Sequence, residues 1–302
     1  MSKDTPEGER IAKRIARAGR ASRREAERLI EGGRVRVNGR IIDSPALNVT
    51  DADRIEVDGQ PLAEKEAPRL WRYYKPVGLV TSERDEKGRA TVFDRLPPEL
   101  PRVLSIGRLD LNSEGLLLLT NDGELKRRLE LPSTGWTRKY RVRAKGQPTE
   151  ETFRPLERGI VIEGERFRPM SVTLDRQQGA NCWMTIALKE GKNREIRRAL
   201  AEVGLEVNRL IRTSYGPFQL GEMEPGAVEE IKGKVLRDQL GLKSEPQAVQ
   251  RAKRTAEAAA RAGAKPGGKP GGRGPTGRPG PKPAGRGGKP AGDPSRSLRK
   301  KR

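Results

Sequence analysis

The chain has 302 residues, with 63 lysines and arginines against 41 aspartates and glutamates, a formal net charge of +22, no histidine and one cysteine. Lack of histidine removes Ser-His and Cys-His nucleophile pairs, histidine metal sites and the commonest general base near neutral pH. The lone Cys182 makes neither an internal disulfide nor a thiolate zinc site, and reads as a small core residue. Chemistry on this chain must therefore come from carboxylates, tyrosines, lysines and arginines, or from a bound cofactor. A mean hydropathy of −0.81 is low for a wholly folded chain. The charge points to a polyanion, nucleic acid above all. Met1 to Pro6 carries no apolar signal core and no 18-residue apolar run occurs, so a cytoplasmic protein away from membranes is expected.

Residues 8–66 read as a small module. Ile11, Ile15 and Ala18 recur at helical spacing, with Arg10, Lys13, Arg14 and Arg17 on the other face. Gly19-Arg20-Ala21 breaks that helix. Ser22-Arg23-Arg24-Glu25 then has the form of a capping box, and Ala26, Leu29 and Ile30 supply the apolar stripe of a second helix, stopped by Gly32-Gly33. Val35 to Val37 and Arg40 to Ile42 flank Asn38-Gly39, a strong hairpin signal, and Arg54 to Val57 adds a strand. Arg10, Lys13, Arg14, Arg17, Arg20, Arg23, Arg24, Arg34 and Arg36 are expected to face RNA phosphates, because the first helix carries almost no acid.

Ala63 to Pro68 is a polar linker, and residues 69–242 form a second domain. Leu70 to Tyr74 reads as an aromatic strand halted by Lys75-Pro76-Val77-Gly78. Val103 to Ile106 and Leu116 to Leu119 are short apolar runs, read as buried strands, with Gly107-Arg108-Leu109-Asp110-Leu111-Asn112-Ser113-Glu114-Gly115 between them. A rigid loop presents Asp110, although the ordinary fate of a loop aspartate is a solvated turn former. A helix is expected over Glu124 to Leu131, an alternating strand over Lys139 to Arg143, a helix over Thr149 to Arg158, and strands at Val172 to Leu174 and Cys182 to Leu188. Gly191 to Leu200 turns into a helix ending at Gly204, and Val207 to Ser214, carrying Arg209 and Arg212, is the last clear strand. Strands and helices without regular alternation argue an α+β chain with a mixed, mainly antiparallel sheet. Residues 243–302 read as a disordered basic tail, in which residues 251–302 hold 16 lysines and arginines against 2 acids.

Two resemblances follow. The helix, Gly-x-x-Ser-Arg-Arg-Glu-Ala helix and Gly-Arg-Val-x-Val-Asn-Gly hairpin of the first module resemble the alpha-L RNA-binding domain. In the second domain four motifs in order resemble the pseudouridine synthases of the RsuA/RluB family: Tyr74-Lys75-Pro76-Val77-Gly78; Gly107-Arg108-Leu109-Asp110 with its leucine run; Arg138-Lys139-Tyr140-Arg141-Val142; and Glu190 to Arg198. The resemblance implies that Asp110 is the catalytic carboxylate and that Tyr140 packs on the target base. It implies that Arg197, or else Lys192, pairs with the aspartate. Lys75, Arg108, Lys192 and Arg194 are expected to hold the substrate. Ser113 stands where the family more often has threonine and keeps a hydroxyl. Val92 to Pro97 and Asn193 to Arg212 look more like the branch acting on large-subunit (23S) RNA than the small-subunit (16S) branch. Rearranging uridine to pseudouridine gains and loses no group and changes no oxidation state, so neither metal nor organic cofactor is expected. The expected partner is ribosomal RNA or a pre-ribosomal particle, met by a monomer.

Two other classes compete. A catalytically inert assembly factor would bind ribosomal RNA and leave its uridines unchanged. A glycosidic hydrolase would release uracil, and such enzymes ordinarily need two carboxylates, for which only Glu114 and Asp122 stand near Asp110.

Overall fold

The computed structural model describes residues 8–64 and 66–240; the basic tail expected over 243–302, and Lys65 within the linker, lie outside the described residues. The first module runs β1 (Glu9–Arg10), α1 (Ile11–Arg17), α2 (Arg23–Glu31), β2 (Val35–Val37), β3 (Arg40–Ile42), β4 (Asn48–Val49), β5 (Ile55–Val57) and β6 (Gln60–Pro61). The capping box is present: Ser22 Oγ accepts the Glu25 N–H at 3.2 Å and the Glu25 carboxylate accepts the Ser22 N–H at 3.4 Å. The hairpin turns at Asn38 and Gly39, both at positive φ, and β2 pairs with both β3 and β5. Ile11, Ile15, Ala26, Ile30, Val35 and Val57 close its core.

The second domain runs β7 (Leu70–Lys75), β8 (Leu104–Ile106), β9 (Glu114–Thr120), α3 (Gly123–Glu130), β10 (Arg138–Lys145), α4 (Glu150–Arg158), β11 (Ile160–Ile162) and β12 (Glu165–Phe167). It continues with β13 (Ser171–Gln178), β14 (Asn181–Leu188), α5 (Glu195–Glu202), β15 (Glu206–Tyr215), β16 (Phe218–Gln219), β17 (Val228–Glu230) and α6 (Gly233–Leu240). The main sheet is ordered β13-β14-β10-β15-β9-β7-β17, with β8 on β9 and β16 on β15. Its one parallel contact joins β15 to β9. The expectation of a mixed, mainly antiparallel sheet holds. The β11–β12 hairpin, β16, β17 and α6 are absent from the sequence reading, because they are short and α6 follows no capping signal.

The leucine run and the alternating strands differ because their surroundings differ. Leu117 and Leu119 enter the core under α4 and α5, whereas Leu116 and Leu118 enter a second core with Leu125 and Leu129 of α3 and Leu236 and Leu240 of α6. A strand covered on both faces needs apolar side chains at every position. In β10, Tyr140, Val142 and Ala144 are buried in the first core, while Lys139, Arg141 and Lys145 are exposed. Cys182 is wholly buried in that core, as a structural cysteine would be.

Candidate active site

The Gly107 to Ser113 loop is pinned along its length. The Gly107 N–H donates to Glu130 Oε1 of α3 at 2.6 Å, and the Leu109 carbonyl accepts from the Thr81 hydroxyl at 2.8 Å. The Leu111 carbonyl accepts from the Gly78 N–H at 2.8 Å, and the Asn112 carbonyl from Arg197 Nη2 at 2.8 Å. The Ser113 N–H closes a turn onto the Asp110 carbonyl at 3.0 Å. Asp110 is half-buried and lines a cleft of about 470 Å³ that also carries Tyr140, Arg108, Arg138, Lys192, Arg194, Glu195 and Arg212.

The loop opens at a fork in the sheet. Along one edge of β9, β8 pairs with Leu118 to Thr120, while β15 pairs with Glu114 and Gly115. Between them the Leu116 carbonyl takes a side chain instead of a strand: Arg212 Nε donates to it at 2.7 Å. Arg212 lies opposite Tyr140 across β15 and β10, so the two share a face. Arg212 is 2% exposed, and among the described residues its Nη2 has no hydrogen-bond partner. The buried Ser113 Oγ and Glu195 Oε1, also lining the cleft, are likewise unpartnered. Buried polar atoms are rarely left so, and their gathering in one cleft suits a polar ligand.

Lys75, expected at the substrate, lies beneath the loop instead. It is wholly buried opposite Gly115, and its ammonium donates to the Ser113 carbonyl at 2.8 Å and the Pro76 carbonyl at 2.9 Å. Burial pushes its pKa down to about 8, an effect opposed by the charge of Asp110 and reinforced by that of Arg212. At the other end of the loop Glu114 accepts from Arg209 Nε at 2.7 Å and from the Tyr74 hydroxyl at 3.0 Å.

The direct ion pair expected for Asp110 is not formed: among the described residues no lysine or arginine nitrogen lies within 4.0 Å of its carboxylate. Arg197 is spent on the Asn112 and Val207 carbonyls, at 2.8 and 3.0 Å. It still feels the aspartate, for burial and the neighbouring Arg194 pull its pKa down while the charge of Asp110 offsets part of that loss. Lys192 is drawn to Glu165 at 3.4 Å and to the Arg166 carbonyl. Arg194 caps α5 in a left-handed conformation, φ 48°, with its side chain exposed beside the cleft. Strained backbone of this kind tends to persist where function demands it.

A family model described as RNA pseudouridylate synthase matches residues 69–202, and one described as S4 domain matches residues 9–55. A Rickettsia prowazekii protein named as an uncharacterized RNA pseudouridine synthase is 49% identical over 231 residues, spanning 76% of this chain and 97% of its own. The chain belongs to the RNA pseudouridine synthase family. A ribosomal large subunit pseudouridine synthase B of Yersinia pestis is 42% identical over 219 residues, spanning 70% of this chain and 69% of that one. A crystal structure of a pseudouridylate synthase aligns with a TM-score of 0.55 at 25% identity, covering 77% of this chain and 100% of the other. The synthase is thus an isomerase acting on RNA, built on an S4 module and a catalytic domain.

The basic residues of the S4 module fall into two groups. Lys13 pairs with Glu124 of α3 at 2.6 Å, Arg17 with Glu9 at 2.7 Å, Arg14 with Asp51 at 2.6 Å, and Arg34 with Asp58 at 2.6 Å, where Arg20 also approaches at 3.8 Å. Arg23, Arg24 and Arg36 have no carboxylate within 4.0 Å among the described residues, and Arg10 is hydrogen-bonded to the Ala46 carbonyl. The helix that looks free of acid in sequence is therefore partly neutralised by acids brought from elsewhere. A second, larger hollow of about 750 Å³ runs between Arg24 and Arg28 of α2 and the Leu96 to Val103 segment, without Asp110. Sequence reasoning overlooked Ser113 and Glu195 as cleft residues and noted Arg212 only as a strand arginine. The one available signal was that Arg212 falls on the same alternation as the buried Leu210.

Proposed function

We propose that the synthase isomerises a uridine of ribosomal RNA, that of the large subunit (23S), with Asp110 as its catalytic carboxylate. The observation that carries this reading is the pinned loop, which holds Asp110 in a cleft with Tyr140 and the unpartnered donors of Arg212 and Ser113. The name of the Yersinia pestis relative supports the large subunit. The target uridine leaves its stack at a cost of a few kcal/mol, offset by packing on Tyr140 and by contacts of Arg108, Arg138 and Arg194 with the backbone. The C1′–N1 bond breaks, uracil turns in the cleft and C1′–C5 forms; the proton lost from C5 is balanced by one gained at N1. Asp110 attacks the sugar, attacks C6 of the base, or takes the C2′ proton. Arg197, set back behind the loop, holds the Asn112 carbonyl and leaves the oxygens of Asp110 free for the substrate.

Asp110→Asn tests the assignment. Single-turnover pseudouridine formation on large-subunit RNA falls to background while RNA affinity stays within about twofold, since a neutral amide of the same shape loses only the reacting charge. An active Asp110→Asn enzyme would overturn it. A wild-type protein that binds ribosomal RNA and leaves no carbodiimide-reactive uridine would favour the inert assembly factor.

A further inference from the structure

The front of the main sheet is covered along its length by the core under α4 and α5, but the helices of the back, α3 and α6, pack only near β7, β9 and the end of β15. Across β13, β14 and β10 the back carries an ordered row. Arg176 of β13 lies opposite Trp183 of β14, Trp183 opposite Arg143 of β10, and Arg143 opposite Arg209 of β15. The Arg141 guanidinium stacks on the Trp183 ring with its carbon 4.8 Å from the ring centre. Lys139 and Lys145 lie on the same alternation. Among the described residues none of Lys139, Arg141, Arg143, Lys145 or Arg176 has a carboxylate within 4.0 Å. The nearby acids are Asp175, held by the Thr185 hydroxyl at 3.0 Å, Glu206, opposite Lys145 in the register, and Glu114, which pairs with Arg209 at 2.7 Å and leaves Arg143 unpaired.

Lysine and arginine are common on edge strands, where they deter edge-to-edge pairing. β10 and β14 are interior strands, so that explanation does not reach them. Like charges directly opposite weaken a sheet, and an aromatic ring on an open face costs solubility. Both are answered by one occupant: phosphates for the arginines and a base for the stacked Arg141–Trp183 pair. Arginine planes and aromatic rings are the usual stacking platforms for unpaired bases. The chain's own tail is excluded by its charge, since residues 251–302 hold 16 lysines and arginines against 2 acids. A second copy of this face is excluded for the same reason.

We infer that the back of the sheet is a second RNA-contact surface, where an unpaired strand lays its phosphates across Arg143 and Arg176 and stacks a base on the Arg141–Trp183 column. Because Tyr140 and Arg141 point to opposite faces, this strand is a different stretch of RNA from the one entering the cleft. The surface acts whichever residue in the cleft does the chemistry.

The full chain and polyadenylate, an RNA with no uridine to isomerise, provide the test. Stacking quenches tryptophan emission in the wild type, and the quench is lost in Trp183→Phe while binding persists, because phenylalanine still stacks. In the double variant Arg143→Glu, Arg176→Glu the quench also disappears. Its log–log salt dependence of binding falls by about 0.7 for each single-strand phosphate contact removed. Its melting temperature, and its pseudouridine formation on a short uridine-containing stem-loop, stay at the wild-type level. A quench that survives Trp183→Phe, or a double variant with unchanged quench and salt dependence, overturns the proposal. So does quenching by polyglutamate in place of polyadenylate, which would assign the face to an acidic protein.

Discussion

Glu195 is 4% exposed at the inner wall of the cleft, with one oxygen accepting the Lys192 N–H at 2.9 Å and the other unpartnered. Burial, together with the neighbouring charge of Glu190, holds its carboxyl well above the usual range. The folded chain therefore binds a proton at pH values where the unfolded chain, with an ordinary carboxyl near 4.5, has lost it. Stability from this group is full at low pH and drains away as pH rises toward the raised folded value. Glu195→Gln keeps the shape, accepts the same N–H and has nothing to ionise. It should match the wild type near about pH 4 and exceed it near about pH 8 by on the order of 1 to 3 kcal/mol in chemical denaturation. A variant whose advantage does not grow with pH would show that the pair is ionised and solvated. The loop that carries Asp110 was legible at this scale because a polar stretch between two apolar runs stands out in a sequence, whereas the role expected of its carboxylate came only from the family resemblance. Arg212 and Glu195 were not, since each looks like one more charge in a charged segment until burial leaves its polar atoms unpaired.

Among the elements, β9 does most to position the cleft, and its second residue decides where the sheet forks. Gly115 has φ +101°, and a Cβ there would sit 2.4 Å from the Arg212 carbonyl oxygen and 2.8 Å from the Arg212 nitrogen. The parallel register Ile211 to Glu114 and Arg212 to Gly115 exists only because that hydrogen is not a methyl. Gly115→Ala should cost about 2 to 4 kcal/mol, from the forced left-handed conformation plus the backbone clash. It should also lower pseudouridine formation beyond what the unfolded fraction explains, because Arg212 is displaced from the Leu116 carbonyl. Wild-type denaturation of this variant would refute the argument. The leucine run announced a strand buried on both faces, and the alternation of β10 one buried on a single face; both are local patterns. The fork depends on pairing between residues about a hundred positions apart, and no local pattern encodes it.

At the scale of the whole molecule, charge is the property sequence states most clearly and distributes least clearly. The net excess says RNA, but not which cations are free to meet it. Lys13 of α1 is 2.6 Å from Glu124, a residue 111 positions away in the first turn of α3, and Arg17 approaches the same carboxylate at 3.9 Å. Arg17 is held more closely by Glu9, at 2.7 Å, and Lys13 keeps only a looser approach to Glu9, at 3.5 Å, so Glu124 competes with phosphate chiefly for Lys13. The Lys13–Glu124 pair is largely solvent-exposed, at 29% and 57%, so its contribution to stability is at most about 1 kcal/mol. Its effect on binding is larger, because an RNA phosphate must compete with Glu124 for Lys13. Glu124→Gln leaves the fold nearly unchanged, losing at most about 1 kcal/mol from the start of α3, and frees one phosphate contact. RNA affinity should rise, and its log–log salt dependence should steepen by about 0.7 to 0.9. Filter binding across a salt series measures both. If affinity and slope match the wild type, α1 does not face the RNA, and Arg23, Arg24 and Arg36 are left to carry the S4 module's share of the contact.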